Sequence, residues 1–174
     1  MGLIKIKDAE QIAQRVAQLA QRIDAMLTPP SDPPPLMVVV LKGAFVFAAD
    51  LLRAMDTPCA VDFMRAASYG NATSSSGEVR ITLEPEVALE GRSVLLVDDI
   101  CDSGRTMLAL SNRLRELGAQ KLICCALFDK RERREVLFEP ELIGFEVGDH
   151  FIVGYGLDHA EAMRHLDGVY YLEA

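Results

Sequence analysis

Three carboxylates stand within five positions of one another near the middle of the chain, directly before a group of small polar residues. Asp98 and Asp99 are adjacent, Asp102 follows, and residues 103–106 read Ser-Gly-Arg-Thr. Carboxylates accept hydrogen bonds from sugar hydroxyls and bind hard cations such as Mg²⁺. Because carboxylates repel phosphate unless something lies between them, we expect a ligand that carries a phosphate, a diol and bound magnesium.

The segments around these residues predict a strand, a polar loop and a helix. Val94 to Val97 are all apolar, and apolar residues recur at helical spacing from Met107 to Leu117. The N–H groups at a helix N-terminus lack helical partners, and the helix dipole favours negative charge there, so the junction suits a phosphate. The side chain of Arg105 could serve that phosphate or point to solvent. The alternative is an ordinary turn in which Asp102 or Ser103 caps the helix.

The stretch from Val94 to Leu108, VLLVDDICDSGRTML, resembles the phosphoribosyl-diphosphate motif of the type I phosphoribosyltransferases. That motif has two acids followed by D-[ST]-G-x-T after a buried strand. The resemblance implies that Asp98 and Asp99 contact the ribose hydroxyls and magnesium. It further implies that the 5-phosphate is bound by Asp102, Ser103, Gly104, Arg105 and Thr106. Small departures are Ser103 where threonine is common, arginine in place of lysine at 105, and Asp98 where glutamate is frequent.

A second motif follows a continuous apolar run, Leu36 to Leu41, which is typical of a strand buried on both faces of a parallel sheet. Lys42 and Gly43 end this strand, where ligands of open parallel sheets bind. A lysine there could also be a charged strand end that reaches solvent. The run LKGAFVFAADL resembles the opening segment of hypoxanthine-guanine phosphoribosyltransferases. The resemblance implies that the Lys-Gly pair contacts diphosphate, and that family often has a cis peptide before the lysine.

The segment DHFIVGYGLDHAEAMR, residues 149–164, resembles that family's base-binding segment. The resemblance assigns stacking on the purine to Phe151 and backbone contacts with the base to Ile152. It assigns magnesium to Asp158 and diphosphate to Arg164. From the residue types alone, Phe151 could instead belong to the core, and Asp158 could be the N-cap of a short helix.

Two further roles follow from the resemblance. Lys130 falls where the family places a lysine that donates to the purine 6-oxo group, and Asp102 falls where it places a general base. A donor at Lys130 would favour hypoxanthine or guanine over adenine, because the amino group of adenine leaves that donor unsatisfied. The remaining arginines of the charged run DKRERRE, at positions 131, 133 and 134, are interpreted as surface residues.

Residues 68–77, SYGNATSSSG, contain few apolar residues and predict a mobile loop. The loop could be a simple hairpin connection or a lid that excludes water from a reactive sugar. Ser68 and Tyr69 resemble the Ser-Tyr pair of the family's closing loop, which favours the lid.

The composition limits the classes of partner. A net charge of −8 and a pI near 4.9 argue against broad binding to nucleic acid or anionic membranes. No apolar run is long enough to span a bilayer, and the N-terminus lacks a signal-peptide core, so we expect a cytoplasmic protein.

The four cysteines lack CxxC spacing and are interpreted as reduced and structural, with Cys101 as the possible exception. The three histidines lack zinc-ligand spacing.

The expected architecture is a single α/β domain, residues 1–174, with a mostly parallel sheet flanked by helices. A small hood is expected from the C-terminal segment, with a contribution from the N-terminal residues. Asp8 and Gln11 predict a capping box before an amphipathic helix. Its apolar stripe and exposed strand ends favour a homodimer or homotetramer. Further helices and strands are expected at 45–55, 60–65, 78–83, 121–128, 142–146, 151–153 and 169–172.

The expected activity is purine salvage, in which phosphoribose passes from 5-phosphoribosyl 1-diphosphate to hypoxanthine or guanine. The sequence leaves the preference among hypoxanthine, guanine and xanthine open. Three alternatives are a phosphorelay receiver, a regulatory RNA-binding protein of the same fold, and an enzyme of that fold acting on adenine, xanthine or uracil. A receiver has its aspartate pair near the N-terminus, whereas here the pair lies past residue 90. The acidic balance weighs against RNA binding.

Overall fold

The computed structural model describes residues 2–27, 32–68 and 79–172. Within these ranges, the helices are α1 (Ala9–Met26), α2 (Phe45–Ala54) and α3 (Arg105–Glu116). The strands are β1 (Leu3–Lys7), β2 (Leu36–Val40), β3 (Ala60–Ser68), β4 (Val79–Leu83), β5 (Ser93–Cys101), β6 (Lys121–Asp129), β7 (Leu142–Glu146), β8 (Ile152–Val153) and β9 (Val169–Leu172). Helices and strands alternate through the middle of the chain, which is the pattern of a parallel sheet.

The main sheet has the strand order β4-β3-β2-β5-β6-β7. All neighbours are parallel except β4, which runs antiparallel at the edge. Every residue of β2 is buried because helices cover both faces of the sheet. Met37 and Val39 of this strand pack in the core beneath α1 and α2, whereas Leu36, Val38 and Val40 pack in the core beneath α3. The predicted parallel sheet flanked by helices is therefore confirmed.

The connections that follow β2 and β5 lead toward opposite edges of the sheet. The connection through α2 leads from β2 to β3 on one side, and the connection through α3 leads from β5 to β6 on the other. The loops at the carboxyl ends of β2 and β5 consequently diverge and leave a crevice between them, which is where open α/β sheets bind ligands. Lys42 and Gly43 follow β2 at this crevice.

Helix α1 begins with the predicted capping box. The side chain of Asp8 accepts a hydrogen bond from the backbone N–H of Gln11 at 2.8 Å, and the Gln11 side chain accepts one from the backbone N–H of Asp8 at 3.1 Å. The apolar stripe of α1 is buried and packs against α2 and β7. Since the chain itself covers this stripe, α1 is not the free apolar surface that the sequence suggested for oligomer formation.

The hood is a second sheet, with the strand order β1-β9-β8. β1 pairs antiparallel with β9 from Leu3 opposite Leu172 onward, so the two ends of the described chain lie side by side. The segment after β8 reaches the main crevice, because a Cβ added to Gly156 would lie 2.3 Å from the carbonyl oxygen of Gly43. The hood therefore stands against the loop that follows β2.

Two local expectations were wrong. β5 does not end at Val97 but continues through Asp98 and Asp99 to Cys101, because β6 supplies pairing partners as far as Asp129. No helix follows Asp158, because Ala160 and Glu161 have positive φ, a conformation that ends right-handed helical structure.

The predicted lid lies mostly outside the described residues. Ser68 is the last residue of β3, whereas Tyr69 and residues 70–77 are outside the described ranges.

Among the described helices, none has the length and apolar character needed to cross a membrane. The peptide bond between Leu41 and Lys42 is cis, as the resemblance suggested.

Candidate active site

A cavity of about 290 Å³ lies in the crevice between the loops that follow β2 and β5. Its lining includes eight of the residues expected to bind phosphoribosyl diphosphate: Lys42, Gly43, Asp98, Asp99, Asp102, Ser103, Gly104 and Thr106. The fold thus brings the Lys-Gly motif and the acidic motif to one cavity, although they are far apart in the sequence.

Asp98 and Asp99 are adjacent carboxylates near the end of β5. The backbone N–H of Asp99 donates to Asp98 Oδ1 at 2.9 Å, and that of Ile100 donates to Asp99 Oδ1 at 2.9 Å. Burial raises the pKa of Asp98 well above its ordinary value, and the neighbouring charge of Asp99 raises it further. Burial also raises the pKa of Asp99, although Arg164 partly opposes that rise. Hydroxyl donors or a cation at this pair would relieve the unfavourable burial of charge.

The carboxylate of Asp99 lies directly against the backbone of Gly43. A Cβ added at this glycine would stand 1.7 Å from Asp99 Oδ2. No side chain can occupy that space without displacing the carboxylate. Gly43 is therefore required for the contact between the loop after β2 and the Asp99 side chain of β5, which explains the glycine of the Lys-Gly pair in physical terms.

The loop between β5 and α3 presents backbone donors to the cavity. Gly104, with φ of +83°, occupies the N-cap position of α3, and no side chain caps this helix. The alternative in which Asp102 or Ser103 caps the helix is thus wrong. Within the described part of the chain, the backbone N–H groups of Ser103 and Gly104 have no hydrogen-bond acceptor. Open donors beside a helix N-terminus form a site suited to an anion.

The side chain of Arg105 points away from this cavity. Its Nε donates to Glu135 Oε2 at 2.6 Å, and the side chain does not contribute to the cavity lining. Of the two orientations left open by the sequence, the outward one is observed, because Glu135 offers a carboxylate on the outer side of the loop. Any contact of Arg105 with the phosphate would thus come from its backbone.

Lys42 and Arg164, the two cations expected at the diphosphate, are linked through Glu161. Lys42 Nζ lies 3.0 Å from Glu161 Oε1, and Arg164 Nη2 lies 3.4 Å from Glu161 Oε2. Arg164 also pairs with Asp158 Oδ1 at 2.8 Å and donates to the carbonyl of Gly156 at 2.7 Å. The hood thus brings Arg164 and Asp158 next to the loop that carries Lys42.

The expected metal ligands do not form a complete protein cage. Within residues 2–27, 32–68 and 79–172, no group of three or more His, Cys, Asp or Glu side chains is arranged to hold a metal ion. Asp98 and Asp99 lie at the end of β5, and Asp158 lies in the hood. Mg²⁺ usually takes one or two protein carboxylates and completes its shell with substrate phosphates and water. These acids therefore fit Mg²⁺ that arrives with a phosphorylated substrate.

The expected base-binding residues lie at the ends of β6 and β8. The Lys130 side chain is almost fully buried, with the residue 6% exposed. Phe151 is 53% exposed, which is unusual for a large aromatic residue, and its ring meets that of His159 edge-on at 5.6 Å. Phe151 is consequently not a core residue, and its ring is available for stacking.

The backbone of Ile152 is directed away from β9. Phe151 O accepts a hydrogen bond from Leu172 N at 3.1 Å, and the next pair along the antiparallel ladder is Ile152 with Tyr171. Hydrogen-bonded and non-hydrogen-bonded pairs alternate in such a ladder. Because β8 is an edge strand, the N–H and C=O of Ile152 face outward, beside the exposed ring of Phe151.

Asp102 is held by an arginine that the sequence analysis treated as a surface residue. Arg133 Nε lies 2.9 Å from Asp102 Oδ1, and Arg133 Nη1 lies 2.8 Å from Asp149 Oδ1. The contact with Asp102 lacks hydrogen-bond geometry, and Oδ1 is buried beneath the guanidinium. One oxygen of Asp102 is therefore covered by Arg133, and its carboxylate is connected through that residue to the segment that carries Phe151.

Comparison with known proteins identifies the family. The model of the phosphoribosyl transferase domain matches residues 4–160. The chain belongs to the phosphoribosyltransferase family. A hypoxanthine-guanine phosphoribosyltransferase from Aquifex aeolicus is 44% identical over 164 residues, which are 94% of this chain and 91% of that protein.

Solved phosphoribosyltransferase structures agree with this assignment. A hypoxanthine-guanine phosphoribosyltransferase from Bacillus anthracis, with HEPES in its active site, has a TM-score of 0.91 and 37% identity, covering 97% of this chain and 98% of that one. A hypoxanthine phosphoribosyltransferase from Trypanosoma cruzi, in complex with its product IMP, has a TM-score of 0.89 and 33% identity, covering 97% and 93%. Both similarities extend over nearly the whole chain.

Sequence reasoning missed the arginines of this phosphoribosyltransferase that lie behind the loop after β5. Arg134 was interpreted as a surface residue, yet its side chain is 10% exposed and pairs with the fully buried Asp129. The sequence feature that could have predicted this pair is Asp129 itself, because an acid that ends a buried strand requires a nearby cation.

Cys101 belongs to the core, and burial raises the pKa of its thiol to about 12, so it is inert at neutral pH.

Proposed function

We propose that this protein transfers phosphoribose from 5-phosphoribosyl 1-diphosphate to hypoxanthine or guanine, giving IMP or GMP and diphosphate. The protein thus acts in purine salvage. The observation that carries the proposal is the cavity in which the Asp98 and Asp99 carboxylates meet both Gly43 and the open N-terminus of α3. Residues around this cavity have the chemistry needed to bind the ribose, its 5-phosphate and the diphosphate leaving group.

The sugar and its 5-phosphate bind at the end of β5. Asp98 and Asp99 accept hydrogen bonds from the ribose hydroxyls, which suits two adjacent carboxylates whose pKa values are raised by desolvation. The backbone N–H groups of residues 103 and 104 and the hydroxyls of Ser103 and Thr106 donate to the phosphate. This division keeps the carboxylates on the sugar side and the donors on the phosphate side, which avoids direct repulsion.

The diphosphate binds at Lys42, Gly43 and Arg164. The salt bridges that Lys42 and Arg164 make with Glu161 and Asp158 are replaced by contacts with the diphosphate oxygens. Asp158 and Asp98 or Asp99 would hold Mg²⁺, which would neutralise part of the charge on the leaving group. The exposed position of the Lys42 to Glu161 pair supports this exchange, because an exposed ion pair is weak.

The purine binds between the hood and the end of β6. Phe151 stacks on its face, the backbone of Ile152 meets its edge, and Lys130 donates to the 6-oxo group. A buried lysine that lacks its acceptor is unfavourable, so a base with a 6-amino group is rejected. Ser68 and Tyr69 close over the bound substrates as part of a lid.

In the reaction, the bond between C1 of the ribose and the diphosphate breaks, and its electron pair leaves with the diphosphate. One imidazole nitrogen of the purine bonds to C1 while Asp102 takes the proton from the other. Positive charge develops on the sugar and negative charge on the leaving group, so catalysis depends on positioning and electrostatics. The contact with Arg133 fixes one oxygen of Asp102 and leaves the other for the proton.

We further propose that the protein acts in the cytoplasm as a homodimer or homotetramer, with small molecules as its substrates and without nucleic-acid or membrane partners. The face of β3 that carries Val61 and Phe63 supports an oligomer. These exposed side chains lie beside Met37 and Val39 on the same face of the sheet, but none of the described helices covers them. Leu83, which pairs with Arg65 on the neighbouring strand, extends the same apolar face.

A spectrophotometric assay of nucleotide formation tests the proposed activity. Hypoxanthine, guanine, xanthine, adenine and uracil are each supplied with 5-phosphoribosyl 1-diphosphate, with and without Mg²⁺. We expect turnover of hypoxanthine, guanine or both, dependent on Mg²⁺, and little turnover of adenine or uracil. Turnover restricted to adenine or uracil, or no turnover of any base, would contradict the proposal.

A further inference from the structure

The segment after β6 passes behind the loop that joins β5 to α3. It donates hydrogen bonds to three consecutive carbonyl groups, at the last residue of β5 and the first two residues of that loop: Lys130 N to Cys101 O at 2.9 Å, Arg134 Nη1 to Asp102 O at 2.5 Å, and Glu135 N to Ser103 O at 2.9 Å. Residues 101–103 are thus fixed from the outer side of the loop.

These hydrogen bonds determine where the N–H groups of the loop point. In a planar trans peptide, the C=O of one residue and the N–H of the next point in opposite directions. The carbonyls of Asp102 and Ser103 face the segment after β6, so the N–H groups of Ser103 and Gly104 face the cavity. Those two N–H groups have no partner within the described residues, so they are open to a ligand.

Arg134 is the only side chain in this set of three donors, and its own position is tightly fixed. Its other terminal nitrogen pairs with the fully buried Asp129, and a Cβ added at Gly104 would lie 2.7 Å from Arg134 Cδ. The planar fork of arginine contacts the carboxylate and the carbonyl at once. Lysine carries a single ammonium group and cannot reproduce that geometry.

We infer that Arg134 is a positioning residue for phosphate binding. It turns the Asp102 peptide so that the loop N–H groups converge on the 5-phosphate, and Asp129 holds it in that orientation. The inference rests on the proposed function and deepens it, because it assigns the orientation of the phosphate donors to a residue that does not line the cavity.

The test compares Arg134→Lys with the wild type and with Arg131→Gln. Arg131 lies in the same segment, and its side chain forms surface ion pairs with Glu139 and Glu146 among the described residues, so it is the matched control. Binding of ribose 5-phosphate is measured by titration calorimetry, and thermal unfolding is measured by circular dichroism. We expect Arg134→Lys to remain folded and to bind ribose 5-phosphate at least about ten-fold more weakly, whereas Arg131→Gln binds it like the wild type.

A double variant, Asp129→Leu with Arg134→Met, separates positioning from the burial of an unpaired charge. It removes both charges together, which avoids the penalty of leaving one of them alone. We expect the same loss of ribose 5-phosphate affinity, with KM for the diphosphate donor raised and KM for hypoxanthine changed by less than about two-fold. Wild-type affinity in either folded variant would overturn the inference.

The outcome is separable from that of the proposed function. A wild-type protein that binds ribose 5-phosphate but converts none of the five bases would refute the proposed function, and the comparison with Arg134→Lys would still decide the role of Arg134. A wild-type protein that does not bind ribose 5-phosphate would overturn the inference as well.

Discussion

Asp102 is the residue on which the proposed proton transfer depends. Asp102→Asn preserves the shape of the side chain but removes its capacity to accept a proton. We expect kcat to fall by about 10²- to 10⁴-fold. The Kd of the diphosphate donor should stay within about two-fold of the wild type, because the groups proposed to donate to the phosphate are backbone N–H groups and hydroxyls, not the Asp102 side chain. Steady-state kinetics with equilibrium binding of the donor measures both. Equal losses of turnover and of donor binding would refute the base role.

The Asp98 and Asp99 pair makes stability depend on pH. Folding raises the pKa of Asp98 above its ordinary value of 3.8, so the folded state holds that proton more tightly than the unfolded state. The folded state therefore loses stability as the pH rises above about 4 and through the raised pKa. Asp98→Asn removes this penalty, and we expect the free energy of unfolding at pH 7.5 to rise by about 1 kcal/mol.

Urea unfolding at pH 4.0, 5.5 and 7.5 in the presence of EDTA measures this effect. The difference between Asp98→Asn and the wild type should shrink as the pH falls toward 4, because the carboxyl is then neutral in the folded state and increasingly protonated in the unfolded state. Glu132→Gln, which removes an exposed acid, is the control for the loss of one negative charge. A variant that is less stable than the wild type at pH 7.5 would contradict the argument.

At the scale of single residues, sequence reasoning identified the cavity lining but not its support. The acids, the Lys-Gly pair and the small residues after them are recognisable because their chemistry is specific. Arg134 and Arg133 are not recognisable in this way, because a run of arginines and glutamates is equally compatible with a solvated surface and with a position behind a loop. Only the fold shows that Asp129, at the end of β6, draws Arg134 inward.

Among the helices and strands, α1 allows a direct test of how much a capping box predicted from sequence contributes to stability. Asp8→Ala removes one half of its capping box and leaves the N–H of Gln11 without its acceptor. We expect the free energy of unfolding to fall by about 1 kcal/mol, measured by urea unfolding. Gln14→Ala, at an exposed position further along α1, is the matched control and should change stability little. An unchanged stability for Asp8→Ala would show that the capping box contributes little in this chain.

The elements differ in how far the sequence determined them. β2 and α2 were predicted to within one residue, and β7 and β9 to the residue, because each coincides with an apolar run that the fold buries. β5 runs four residues further than predicted, since its pairing with β6 outweighs the polar character of Asp98 and Asp99. β1, with the sequence LIKIK, was not predicted as a strand, because its pairing partner is β9 at the other end of the described chain.

For the whole molecule, the uncovered face of β3 predicts self-association. Phe63→Glu places a charge among the exposed apolar residues Val61, Phe63 and Leu83. We expect the wild type to have at least twice the mass of the 19.1 kDa chain, and Phe63→Glu to shift toward smaller species, because burying an unpaired charge in an interface is unfavourable. Size-exclusion chromatography with light scattering measures both masses.

Leu137→Glu is the matched control for the mass measurement. Leu137 is fully exposed in the segment between β6 and β7, away from the face of β3, so its substitution should leave the mass unchanged. A monomeric wild type, or an assembly that survives Phe63→Glu, would contradict the assignment of this face.

The pairing of β1 with β9 also has a consequence for synthesis of the chain. β1 leaves the ribosome before β9, so its partner strand does not exist until residues 169–172 have been made. All strands of the main sheet precede β9, so the part of the cavity that surrounds the sugar phosphate can assemble earlier. The surface that receives the base is completed after the main sheet, and a nascent chain should acquire affinity for ribose 5-phosphate before it acquires affinity for a purine.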